Sequence, residues 1–172
     1  EQGLDCANAF ARTYMPDEEK QRRLPIPMDC IHAIQSDCLN ADDDMRWLVE
    51  LLSDSGMRLG EAVGLVKSDI ILDGDIPHVN ISPHAWRRLK TKGSQRCVPL
   101  VGKALWAASR AIEGASGSSF LFPRYNRGST SNANSASAAI NKWLKPRVPD
   151  NCVIHSFRHS MRDRLRAIEC PS

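Results

Sequence analysis

Residues 41–65 read ADDDMRWLVELLSDSGMRLGEAVGL, and this stretch decides the fold class. Asp42, Asp43 and Asp44 supply an N-cap and favourable first-turn charge for a helix. Met45, Leu48, Val49 and Leu52 recur at helical spacing and predict a buried stripe, and Gly56 ends the helix. A short helix restarts at once in MRLGEAVGL and places Arg58 and Glu61 at i, i+3. Taken alone, that pair reads as a surface ion pair contributing about 0–1 kcal/mol.

Working outward, residues 1–27 carry RTYMPDEEKQRRLPIP, with three prolines and little periodicity, and are expected to be a linker or the tail of an upstream domain. Ile31, Ile34 and Cys38 predict a helix from about Met28 to Leu39. Downstream, IILDGDIPHVNI alternates β-branched residues around Asp73-Gly74, which signals a hairpin. RRLKTKGSQRCVPL reads as a strand pair turning at Lys92-Gly93-Ser94; alone it reads as an edge hairpin protected by lysine. Helices are expected from about Gly102 to Glu113, over residues 134–145 up to Pro146, and from about Ser156 towards Ile168. The class is therefore mostly α with a small antiparallel β-sheet (α+β).

At 172 residues the chain is long enough for one continuous core, placed at residues 28–172. Apolar residues make up 42% and charged residues 25%, which excludes disordered and fibrous classes. No apolar run approaches the ~20 residues of a membrane span. No signal-peptide pattern opens the chain, which looks like an excised piece of a longer protein, and a cytoplasmic location is expected. The six cysteines show no CxxC and no ligand spacing, so free thiols are expected rather than disulfides or a structural zinc. Net charge is only +3, but acid clusters early, whereas Arg87, Arg88, Lys90, Lys92 and Arg96 and then residues 142–166 are basic. That asymmetry points to a polyanionic partner.

The strongest basic segment is HSFRHSMRDRLR, residues 155–166. On a helix, His155, Arg158, His159, Arg162 and Arg166 share one side, while Phe157, Met161, Leu165 and Ile168 form an apolar stripe on another. A solvated face would mix lysine with glutamate; here arginine dominates, and its planar fork suits phosphate. His155 and His159 are also spaced i, i+4 as in a zinc helix. Ser156 stands where that motif needs a glutamate, and Arg158 would oppose a metal, so no metal is expected.

Together and in this order, these stretches resemble the catalytic domain of tyrosine recombinases, the phage integrase family. Gly56, Arg58 and Glu61 match its Gly-x-Arg-x-x-Glu turn, followed by Ala62, Val63 and Leu65. Arg96, Val98, Pro99 and Leu100 match the strand after its lysine hairpin. His155, Arg158 and His159 match its His-x-x-Arg-His box, and the resemblance covers about residues 28–170.

The resemblance implies site-specific recombination of double-stranded DNA through a 3′-phosphotyrosyl link, without metal or nucleotide cofactor. It implies Arg58 and Arg158 as transition-state stabilisers, His155 as a donor or proton-transfer group, and a lysine protonating the leaving 5′-oxygen. Lys90 is the expected lysine and Lys92 a phosphate contact; both are expected on one strand face. Glu61 holds Arg58, His159 gives support, and Arg87, Arg88 and Arg162 are expected on the DNA backbone. A homo-oligomer on DNA and a bacterial or phage origin are implied as well, and residues 1–27 become the linker or tail of a missing N-terminal DNA-clamp domain.

The family's nucleophilic tyrosine lies beyond the second box, and the chain stops at Cys170-Pro171-Ser172. Tyr14 and Tyr125 match neither its place nor its surroundings. The expectation is that the chain assembles the phosphate pocket but does not cleave DNA alone. A non-catalytic DNA-binding module of the same fold, or a type IB topoisomerase, are the alternatives.

Overall fold

The computed structural model describes residues 23–169. Among these residues six α-helices and five short strands follow one another, and the helices enclose the core. Helix α1 (Met28–Ala41) buries Ile31, Ile34 and Cys38, the spacing that predicted it. Helix α2 (Asp44–Ser55) is capped by Asp43, whose carboxylate accepts the Arg46 backbone N–H at 3.0 Å, and it ends at Gly56 with φ +62°.

α2 is more than an amphipathic surface helix. Besides Met45, Leu48, Val49 and Leu52 it buries Leu51, Glu50, Ser53 and Asp54, because α1 and the helices Gly102–Gly114 and Ser156–Ala167 all pack against it. The expected one-sided stripe therefore becomes a central helix. Helix α3 (Leu59–Val63) follows the Gly56 turn directly. Helix α4 (Gly102–Gly114) approaches α2 closely through Ala104, Ala107, Ala108 and Ala111, all fully buried. At its end a Cβ on Gly114 would stand 2.4 Å from the Trp47 ring, so any side chain there would displace that ring.

Strands β1 (Ile70–Ile71), β2 (His78–Ile81) and β3 (Arg96–Pro99) form an antiparallel sheet in that order, with Val79 opposite both Ile70 and Val98. The first hairpin lies where Asp73-Gly74 signalled it. The second does not: residues 82–95 make a long connection rather than a strand pair turning at Lys92, and Lys92–Ser94 form a 3-10 turn. Strands β4 (Asn126–Arg127) and β5 (Thr130–Ser131) form a small separate hairpin before helix α5 (Ala133–Leu144). Helix α6 (Ser156–Ala167) closes the described chain.

The expected linker lies outside the described residues up to residue 22. Its described end is pinned to the domain. Ile26 is buried, its N–H donates to Ser160 Oγ at 2.8 Å, and Ser160 Oγ donates back to the Ile26 carbonyl at 3.1 Å. Cys30, Cys38, Cys97 and Cys152 are free thiols. Among the described residues no helix is long and apolar enough to cross a membrane.

Candidate phosphate-binding site

The turn between α2 and α3 gathers the site. Gly56 takes the left-handed conformation that stops α2 and donates its N–H to the Leu52 carbonyl at 3.2 Å. A Cβ there would come within 3.1 Å of Met161 on α6, so glycine also lets α6 approach. The Gly56 carbonyl accepts a 2.5 Å hydrogen bond from Arg158 Nη1, joining two sequence motifs about a hundred residues apart.

Arg58 opens α3. Its backbone N–H donates to Glu61 Oε2 and its Nη1 to Glu61 Oε1, each at 2.9 Å. The pair is not the exposed ion pair that its spacing suggests, because the Glu61 side chain is 5% exposed. Arg96 on β3 reaches the same carboxylate with Nη2 at 2.9 Å and Nη1 at 3.2 Å, a two-pronged grip that sequence reasoning missed. Burial alone would raise the Glu61 carboxyl, but the bonds from Arg96 and Arg58 outweigh it and hold it below the usual carboxylate range. Arg58 Nη1 also lies 3.5 Å from Ser94 Oγ, so the lysine-bearing connection touches the arginine.

α6 contributes the second half. Its expected apolar stripe is largely not core: Phe157 is buried, but Leu165 and Ile168 are exposed. The face that packs inward is Ser156, Phe157 and Ser160, whose small hydroxyls bond backbone at the helix start and at Ile26. Arg164 fastens the far end, donating from Nη1 to Asp54 Oδ1 at 2.8 Å. Arg158, His159 and Arg162 thereby line a cleft of about 330 Å3 beside Gly56. His155 sits at the helix start with its ring 5.2 Å from that of His159, nearly perpendicular. Burial, then the charges of His159, Arg23, Arg158 and Arg58, push the His155 imidazole below its ordinary value. Burial, then Arg58 and Arg96, likewise pull Arg158 down, with Glu61 opposing.

Lys90 is exposed and lines a second cleft, of about 390 Å3, with Arg58, Gly60, Glu61 and Arg88. It does not share a strand face with Lys92, since neither lies in a strand; the Ser94 N–H bonded to the Thr91 carbonyl at 3.0 Å curls that segment into a turn. Arg88 and Arg162 are exposed, as a backbone-contact role requires. Arg87 corrects its expectation. It is 3% exposed and pairs with Asp69 at 3.1 Å, so its guanidinium is spent inside the protein and is not available to DNA. Tyr125 is buried, and Tyr14 lies outside the described residues.

The assembled group carries a surplus of positive charge. Glu61 answers Arg58 and Arg96, while Arg158 leans on a neutral carbonyl. Such crowding of cations is unfavourable by itself and is relieved by a nearby anion.

The model of the family described as "Phage integrase family" matches residues 20–169. Among curated proteins none matches this chain. Solved structures do. The Tn1549 transposon integrase, in complex with circular intermediate DNA, is 17% identical over 90% of this chain and 56% of that chain, with a TM-score of 0.66. The XerH site-specific recombinase, bound to difH substrate, is 15% identical over 95% of this chain and 49% of that one, with a TM-score of 0.62. At such identities the likeness is one of fold, and this chain spans about half the length of those chains.

Proposed function

Because this chain belongs to the phage integrase family, we propose that it forms the phosphate-gripping half of a site-specific DNA recombination site. The observation that carries this reading is the meeting of Arg58 and Arg158 at one glycine turn, each oriented by protein acceptors and neither fully neutralised. Strand transfer at a phosphodiester places extra negative charge on the phosphorus oxygens in the transition state. Preformed guanidinium groups stabilise that charge without reorganising.

In this reading Arg58 and Arg158 hold the scissile phosphate from two elements. His155 donates to the same phosphate in its protonated form or moves a proton in its neutral form. Lys90 delivers the proton to the leaving 5′-oxygen, and Lys92 contacts a neighbouring phosphate. Glu61 aims Arg58, His159 supports His155, and Arg88 and Arg162 follow the DNA backbone. Tyr125 is buried and takes no part in strand cleavage in this reading, in which the chain alone binds DNA without cleaving it. In the protein that carries the chain, protomers pair on the DNA. The Tn1549 integrase and XerH structures, both solved on DNA, support the choice of partner.

The test uses the 172-residue chain and a nicked suicide duplex. DNA affinity falls steeply with salt, because neutralised phosphates release counterions. Arg58→Ala and Arg158→Ala each weaken it about tenfold or more, the loss of a charge-assisted contact. Salt-insensitive binding, or full affinity in both variants, overturns the phosphate site. A covalent adduct formed by the chain itself overturns the reading that it binds without cleaving.

A further inference from the structure

A five-residue helix cannot hold itself in water, so α3 depends on what grips its ends. Its C-terminal carbonyls are taken up by distant side chains. Arg87 Nη1 donates to the Glu61 carbonyl at 3.3 Å and the Gly64 carbonyl at 3.2 Å. Trp86 Nε1 adds a 3.0 Å bond to the Gly64 carbonyl, and Asn126 Nδ2 a 2.8 Å bond to that of Val63. A cation at this end also suits the helix dipole.

Arg87 is itself immobilised. Its Nη2 and Nε donate to the Ser82 carbonyl at 2.8 and 3.1 Å, and Nη2 pairs with Asp69 Oδ2. The other Asp69 oxygen meets His84 Nε2 at 2.9 Å. Asp69 is 4% exposed, so the pair is buried together. A buried, fully engaged arginine of this kind fixes geometry rather than binding solvent-borne ligands.

At its other end α3 is held by Ser94 and Arg96, which bond Arg58 and Glu61. Arg87, Lys90 and Ser94 all belong to the connection between β2 and β3, and Arg96 opens β3. One loop thus grips α3 front and back while presenting Lys90. The path from Arg87 to Arg58 runs through a single residue: Glu61 accepts from Arg87 with its backbone and from Arg58 with its carboxylate.

We infer that Arg87 is a positioning residue of the phosphate site, setting from behind α3 the direction in which Arg58 leaves the turn and holding the Lys90 loop against it. Its effect on DNA binding rests on the proposed recombination reading; its effect on α3 does not.

The experiment compares the wild-type chain with Arg87→Lys and Trp86→Phe. Lysine keeps the charge but loses the fork that spans Glu61, Gly64 and Ser82. Amide exchange at Ala62 and Leu65 and the NMR signal of the Arg58 guanidinium are read first, then duplex affinity alone and combined with Arg58→Ala. Arg87→Lys retains a folded spectrum, speeds that exchange about tenfold, shifts the Arg58 signal and weakens DNA binding about tenfold. In the Arg58→Ala background it weakens binding no further, the non-additivity of residues acting through one another. Trp86→Phe does the same to a smaller degree, and carries the comparison if Arg87→Lys does not fold. Unchanged exchange with an unshifted Arg58 signal overturns the inference, as does a fully additive loss of affinity. If Arg58→Ala alone leaves affinity intact, the DNA reading fails, and the inference is decided by exchange and the Arg58 signal.

Discussion

Gly56 is asked to do three things at once: stop α2, admit Met161 and present a carbonyl to Arg158. Gly56→Ala is therefore expected to destabilise the chain by about 1–2 kcal/mol from the left-handed backbone. The Met161 contact adds to that. Thermal unfolding reads the loss, and DNA affinity falls with it because Arg158 is displaced. His155 shows the opposite sensitivity, to charge rather than shape. Its folded pKa is depressed, so its contribution to stability is present above the ordinary value of 6.5 and is lost as pH falls through the folded value. A phosphate entering the site reverses the sign of the local field and raises that pKa. An NMR titration of His155 with and without duplex DNA is expected to show the upward shift; a downward one contradicts the proposed contact.

Among the elements, α6 is the one whose placement the site most needs, and it is held by few apolar contacts. Asp54 on α2 ties it down, accepting from Arg164 at 2.8 Å while also taking the Lys103 backbone N–H at 2.9 Å and Gln35 Nε2 at 3.2 Å. Four helices meet at this one carboxylate. Asp54→Ala is expected to cost about 2 kcal/mol, from charged hydrogen bonds left unmade. Urea unfolding measures it, and amide exchange in α6 is expected to rise more than in α5. Helix α5 is bounded by local signals, Asn132 capping its start and Pro146 following its end, which is why its span was legible. α6 carried an apolar stripe that suggested one buried face and used another. Periodicity reports spacing, and Ser156 and Ser160 were invisible to it because their inward packing is polar.

The core as a whole contains an ionisable group with no role in the proposed chemistry. Glu50 is fully buried on α2, with Oε1 unpartnered and Oε2 3.4 Å from Ser53 Oγ. Burial first, and Asp54 in addition, push its carboxyl up to about 7. A raised folded pKa means stability that is complete below the ordinary value of 4.5 and is lost as pH rises to about 7. The span corresponds to roughly 3 kcal/mol. Glu50→Gln, which keeps the shape, is expected to gain stability relative to the natural chain over that interval and to flatten its pH profile. Denaturant melts at pH 5 and pH 8 test this; parallel profiles contradict it.

The sequence by itself determined a helix start within Asp42–Asp44 and its end at Gly56, the α+β class, and the order of the three motifs, because caps, turns and periodicity are local. It determined also that Arg58 and Glu61 would face one another. Which other groups join them was decided only by the tertiary structure. Arg96 and Arg87 looked alike as basic residues of one segment, yet one grips Glu61 at the rim and the other is buried against Asp69. Lys90 and Lys92 looked like neighbours on a strand, and the chain curls instead. The physical reason is that a side chain's partner depends on the path of backbone far away in sequence. Charge and spacing state what a residue can bond; only the packed fold brings a particular acceptor within 3 Å of it.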